Sequence, residues 1–146
     1  MSFSDLLERK VLDHIFGGDI LNQPQTLYLG LSTSPVQDDG TGYTEPMGGG
    51  YARVVIHNTI YDPQADTGFW LAAETAVEGD HLGKGVKASA IDLEFPEAEG
   101  DWGTISHFFL TDGFDVLGAG KLNKSRTIEE GDVVRFKAGE LMITLD

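Results

Sequence analysis

The side chains able to carry chemistry stand apart from one another in this chain. His14, His57, His81 and His107 occur singly. None forms the i, i+4 pair by which a helix offers two imidazoles to zinc, and there is no cysteine to complete a ligand set or act as a nucleophile. A serine nucleophile needs a setting such as a Gly-x-Ser-x-Gly elbow, which is absent. Carboxylates do pair up, in Asp38-Asp39, Glu97 with Glu99, and Glu129-Glu130, but a chain with 24 acidic residues produces such pairs without tuning them as acid and base. Asp38-Asp39-Gly40 lacks the alternating oxygen ligands and closing glutamate of a calcium loop. Gly48-Gly49-Gly50 lacks the lysine and following helix of a phosphate loop, and reads as a turn. No catalytic, cofactor-binding or metal-binding residue is therefore assigned, and no cofactor is expected.

The elements that would position any site are one helix and a series of strands. Residues 5–16 carry Leu6, Leu7, Val11, Ile15 and Phe16 at helical spacing, Asp5 and Glu8 suggest an N-cap pair, and Gly17-Gly18 ends the run. Its apolar stripe either packs on the domain's own sheet or serves as an arm for a neighbouring subunit. Beyond it the period changes to two, over 26–32, 51–58, 86–95, 104–111, 114–122, 133–137 and 140–145. Leu29, Ile91, Leu93 and Ile143 fall on the apolar faces of these strands and are expected in the core. About seven short strands between glycine-rich turns predict a mainly β chain, an antiparallel β-sandwich or jelly-roll-like barrel with one N-terminal amphipathic α-helix. The expected organisation is a single domain over 1–146, with a helix or arm at 1–18 and long loops at 37–50 and 62–85. Loops of that length are usually functional or disordered. Tyr43, Tyr51, Tyr61, Phe69, Trp70 and Trp102 lie in or beside them, where core packing, a protein interface and sugar stacking are the alternatives in that order. The candidate partner-binding residues are Leu6, Leu7, Val11, Tyr43, Tyr51, Trp70 and Trp102.

Composition limits the partners. The 146 residues match one ordinary domain, and 19 glycines are about twice the usual share. A formal charge of −14 opposes binding to nucleic acid and suits docking on a basic protein surface. No basic-then-apolar leader and no membrane-length apolar run is seen, so a soluble protein made in the cytoplasm, with neither nucleic acid nor membrane as partner, is expected.

Several segments resemble, in order, a family of small tailed-bacteriophage virion structural proteins. They are Phe3-Ser4-Asp5-Leu6-Leu7-Glu8 with Leu12-Asp13-His14-Ile15-Phe16-Gly17-Gly18, and Leu27-Tyr28-Leu29-Gly30-Leu31-Ser32-Thr33. Thr44-Glu45-Pro46 and Gly48-Gly49-Gly50-Tyr51-Ala52-Arg53-Val54 follow. Phe95-Pro96, Trp102-Gly103-Thr104-Ile105-Ser106-His107-Phe108, Gly131-Asp132 and Leu141 with Ile143-Thr144-Leu145 complete the set. Members are commonly labelled phage tail fibre protein or uncharacterised structural protein. The segment 64–83, with Trp70, Glu74 and Glu78, departs most from the pattern. The resemblance implies a non-enzymatic virion protein, made in the host cytoplasm, and brings no catalytic residues.

A capsid decoration or cement protein ranks first, because the chain is small and acidic and has neither repeats nor coiled-coil heptads. A tail or tail-tip, fibre-type component ranks second, then a carbohydrate-binding module, then an enzyme acting on glycan. The expected partner is the major capsid protein or tail proteins, with a homo-oligomer, a trimer among the options. The lack of a ligand set generates one prediction: chelation leaves the melting temperature unchanged, which thermal unfolding with and without EDTA checks.

Overall fold

A computed structural model describes residues 1–72 and 85–145. It is mainly β. The elements are β1 (Ser2–Phe3), α1 (Asp5–Phe16), β2 (Thr26–Ser32), β3 (Val54–His57), β4 (Val86–Ala88), β5 (Leu93–Glu94), β6 (Gly103–Thr111), β7 (Val116–Ile128), β8 (Arg135–Phe136) and β9 (Met142–Thr144). A five-stranded antiparallel sheet in the order β1-β7-β6-β2-β3 forms one layer, and the β4-β9 and β5-β8 pairs form the other. This is the sandwich arrangement; among the described residues no sheet closes into the jelly-roll-like barrel that was the alternative.

Register divides the main sheet into two faces, because successive side chains point to opposite sides. Leu27, Leu29, Leu31, Ile56, Phe108 and Leu110 face inward, where Leu93, Phe95, Val134, Phe136 and Leu141 from the second layer meet them. Phe108 meets Phe136 edge to face at 5.3 Å. Gly120, opposite Phe108 on β7, leaves the hollow that this ring fills.

The outer face has its own smaller core. β6 is central and buried on both sides over Phe108, Phe109, Leu110 and Thr111. Phe109 points outward, beside Gly30 of β2, and is fully buried. The loop between β2 and β3 covers it, with Tyr43 at 4.5 Å between ring centroids. That loop is held down by Ser32, which accepts from the Thr44 N–H at 2.9 Å, and by Ser34, which donates to the Gly42 carbonyl at 2.6 Å. Residues 37–50 are thus tied to the sheet at these points, while much of the loop stays exposed, Met47 at 93%.

Four expectations change. Ser4, not Asp5, caps α1: its buried hydroxyl accepts from the Leu7 N–H at 3.3 Å. The expected strand 86–95 is two short strands in different pairs, because the chain turns at Ser89 and Ala90, whose N–H groups donate to Leu141 at 2.9 Å and Phe69 at 2.7 Å. The turn breaks the period of two and leaves Ile91 40% exposed, while Leu29 and Leu93 are buried and Ile143 is half-buried. β7 runs past the expected end at 122, since a bulge at 122–125 lets it rejoin β6. β1 was not expected; two residues show no alternation.

The Gly30–Phe109 contact yields a prediction. A β-carbon at Gly30 would overlap the Phe109 ring, and Tyr43 blocks the ring's retreat. Gly30→Ala should cost about 1–3 kcal/mol through overpacking, seen as a lower denaturant midpoint with an unchanged slope.

Candidate partner-docking surface

The outer face is covered around Phe109 and open beyond it. The boundary is Arg53, whose guanidinium lies 5.3 Å from the Phe109 ring centre. Arg53 is fixed by a two-pronged bond to Glu45, Nε to Oε1 and Nη2 to Oε2, each 2.9 Å. The Tyr51 hydroxyl donates to Glu45 Oε1 at 2.8 Å and accepts from the Leu31 N–H at 2.9 Å. Burial by itself would raise the Glu45 pKa, but the bonds from Arg53 and Tyr51 outweigh it and hold the carboxyl below its ordinary value. Burial, aided by the neighbouring Glu45 carboxylate, pushes the Tyr51 hydroxyl well above its ordinary value, and the bond to Glu45 raises Arg53. This network is structural: its bonds tie Arg53, Glu45 and Tyr51 to one another and to the backbone of β2.

Next to it, Tyr28, Arg53, Val55 and Phe114 line an open depression of about 520 Å³. Phe114 sits at the tip of the β6-β7 hairpin and is 94% exposed. Its turn is rigidly built. The Asp112 carboxylate accepts from the N–H groups of Phe114 at 2.9 Å and Asp115 at 2.8 Å. The Thr111 hydroxyl donates to the Asp115 carbonyl at 2.6 Å and accepts from the Gly113 N–H at 3.0 Å, with Gly113 at φ +98° as the sharp turn requires. A large apolar ring held in water on a pre-organised turn loses little freedom when a partner covers it.

The second exposed apolar feature is the far half of α1. Leu6, Leu7 and Val11 are half-buried near β1 and β7, whereas Leu12, Ile15, Phe16 and, past the helix, Ile20 are exposed. Phe16 reaches 82%. No residue of the helix is fully buried.

The other candidates are distributed differently. Tyr43 lies against Phe109 with its ring partly exposed. Tyr51 is half-buried and meets Trp102 edge to face at 5.3 Å. Trp102 and Trp70 are core residues, which corrects their placing among surface contacts. Trp102 Nε1 donates to the Gly49 carbonyl at 2.7 Å, and Trp70 Nε1 to Asn58 Oδ1 at 2.9 Å. Their rings are therefore not surfaces for sugar or protein. Of the loop 62–85, residues 62–72 and Gly85 are described and the acidic remainder lies outside the described residues. Phe114, Val55 and Tyr28 were missed as candidates, although Asp112-Gly113 marked a turn and an apolar residue directly after it was the available signal.

The hollows among the described residues differ in polarity. A largely apolar one, about 230 Å³ between the start of α1 and Trp70, has Met1 and Lys87 in its lining, and the Lys87 Nζ donates to the Leu71 carbonyl at 2.9 Å. It lacks the converging polar groups of a ligand site. Among the described residues no group of three His, Asp or Glu side chains could hold a metal, and no helix is long and apolar enough to cross a membrane.

The network at Glu45 generates a prediction. A carboxyl with a lowered folded pKa contributes stability above its unfolded pKa, ordinarily 4.5, and that contribution is lost as pH falls through the folded value. Glu45→Gln should lower stability by about 1–3 kcal/mol at neutral pH and flatten the acid limb below the ordinary value, which denaturant midpoints against pH for both proteins check.

Set beside known proteins, the chain matches the family model described as Podophage GP4 fiber I protein gp80 over residues 2–144, nearly its whole length. No curated protein matches it.

Proposed function

The chain belongs to the Podophage GP4 fiber I protein gp80 family, and from that membership we propose that it is a non-catalytic, fibre-type component of the phage tail that works by docking on other virion proteins. A phage virion structural protein is the coarser statement that membership carries. The single observation behind the finer one is the match across 2–144 to a fibre protein family. It moves the fibre reading ahead of head decoration. Two features of the surface support docking: Phe114 on its rigid turn, and the apolar far half of α1. The partner is accordingly another tail protein, met through aromatic and aliphatic anchors of the kind that dominate interface energetics.

Decoration of the head is the second reading, favoured by the charge of −14, which would complement a basic patch on the major capsid protein. Copy number separates the two: a few copies at the tail against hundreds over the shell. The sugar-binding reading loses three of its aromatics, with Phe69, Trp70 and Trp102 in the core.

Particles assembled with Phe114→Ser or with Ile15→Ser/Phe16→Ser provide the test. Both side-chain sets are exposed, so the variants should fold with unchanged circular dichroism, yet each lost anchor should weaken docking by about 2 kcal/mol or more. The expected result is depletion of the variants from purified particles, with the wild-type protein located by cryo-EM at the tail. Full incorporation of both variants would refute the docking surfaces, and density over the head shell would replace fibre with decoration.

A further inference from the structure

The ten basic residues of this acidic chain are unevenly placed. Between the far half of β7 and the β8 and β9 strands lies a groove of about 540 Å³ bordered by Lys121, Lys124, Arg126 and Arg135, and among the described residues the one carboxylate lining it is Glu140. Phe108, Leu122, Val134 and Phe136 contribute an apolar lining. Arg135 pairs with Glu94 at 3.0 Å, but among the described residues no carboxylate pairs with Lys121, Lys124 or Arg126. The bulge in β7 presents them. Arg126 lies opposite Ile105 and Lys121 opposite His107, so 122–125 bow out against Ser106 alone and carry exposed Lys124 with them. Lysines on a strand also deter edge pairing. That role would need neither a concave site nor an apolar lining.

An opposite surface sits at one end of the same chain. Glu97, Glu99 and Asp101, before β6, and Glu129, Glu130 and Asp132, after β7, are all exposed. Their loops are tied into one knob: the Ala98 N–H donates to the Asp132 carbonyl at 2.9 Å, and the Gly131 N–H to the Ala98 carbonyl at 2.7 Å. The Glu129 N–H donates to Asp132 Oδ2 at 2.8 Å. No lysine or arginine pairs with these six among the described residues.

We infer that the basic groove receives the acidic knob of a second copy of this chain, in a head-to-tail contact. Copies at −14 repel one another at a distance, so patches of opposite sign favour the one approach that brings them together. The knob is a highly charged, hydrogen-bonded pair of exposed loops, and the groove is a concave cationic surface on the same chain. Taken head to tail, with one groove and one knob in each contact, the interface is heterologous, and successive copies close into a ring or extend as a stack. The contact stands independently of whether the protein serves fibre or head.

Light scattering and sedimentation of the purified full chain test this, using Lys124→Glu/Arg126→Glu, Glu129→Lys/Glu130→Lys, and the fourfold variant carrying both reversals. The wild-type protein should self-associate at physiological salt and dissociate as salt screens the contact. Each double variant, checked for folding by circular dichroism, should associate at least about tenfold more weakly. The fourfold variant should regain association, because the signs match again. A wild-type protein that stays monomeric, an association indifferent to salt, double variants that associate as wild type, or a folded fourfold variant that stays apart would each overturn the inference. Retention of a monomeric wild-type protein on an acidic polysaccharide would assign the groove to a different anion and likewise overturn it.

Discussion

Phe109 is buried on the side of the sheet that faces away from the main core, and the outer face is organised by the means of covering it. β6 lies between β7 and β2, so neither of its faces can be left wet without exposing Phe108 or Phe109. The inner face has a second layer of strands. The outer face has Gly30 to receive the ring, Tyr43 to close it and Arg53 at its rim. Burying such a side chain is worth about 1.5–3 kcal/mol, and the cation over its face adds about 0.5–1 kcal/mol. The network continues to the backbone of β2: Arg53 is held by Glu45, Glu45 by Tyr51, and the Tyr51 hydroxyl by the Leu31 N–H.

The cover stops at Arg53. Tyr28, Val55 and Phe114 on the same face have no such lid, so the boundary between covered and open sheet falls where the loop from β2 to β3 ends. The molecule thus presents two kinds of surface. One is apolar, at Phe114 and the far half of α1; the other is ionic, in the groove beside β7 and the knob at 97–101 and 129–132. They differ in range: charge acts over about a Debye length and guides approach, whereas apolar anchors act on contact and set residence.

Much of the fold is legible in residue order. Alternation in Leu27, Leu29 and Leu31 marks β2, and the stripe Leu6, Leu7, Val11 with the closing Gly17 marks α1. What escapes is set by tertiary pairing. The pattern through 86–95 continues past a turn made by hydrogen bonds to Leu141 and Phe69, partners remote in sequence, and Ile91 falls outside the core for that reason. Ser4 displaces Asp5 as the cap because β1, too short to be seen, brings Ser4 against Leu117. Of the candidate docking surface, half is legible in the sequence. The helix is amphipathic in sequence, but tryptophans that look available in glycine-rich and acidic loops are buried by indole N–H bonds to Gly49 and Asn58. Phe114 falls at the start of the expected strand 114–122, whereas the turn capped by Asp112 extends through Asp115 and leaves the ring at its tip.

The join between α1 and the sheet determines how the domain would bear tension. A pull on the exposed end of the helix is transmitted at Ser4, whose N–H donates to the Leu117 carbonyl at 2.8 Å, and through the two-residue ladder of β1 with Ala119 and Gly118. The Lys10–Asp115 pair, at 3.9 Å and half-exposed, adds little resistance. From Leu117 the load enters β7, the longest strand, and spreads along its ladder with the central β6. The β1 clip, reinforced by the Asp5 N–H on the Asp38 carbonyl at 2.8 Å, is therefore the seam between helix and body. Since the chain runs on from α1 into β2, a load on the far end of the helix is shared between that seam and the central sheet.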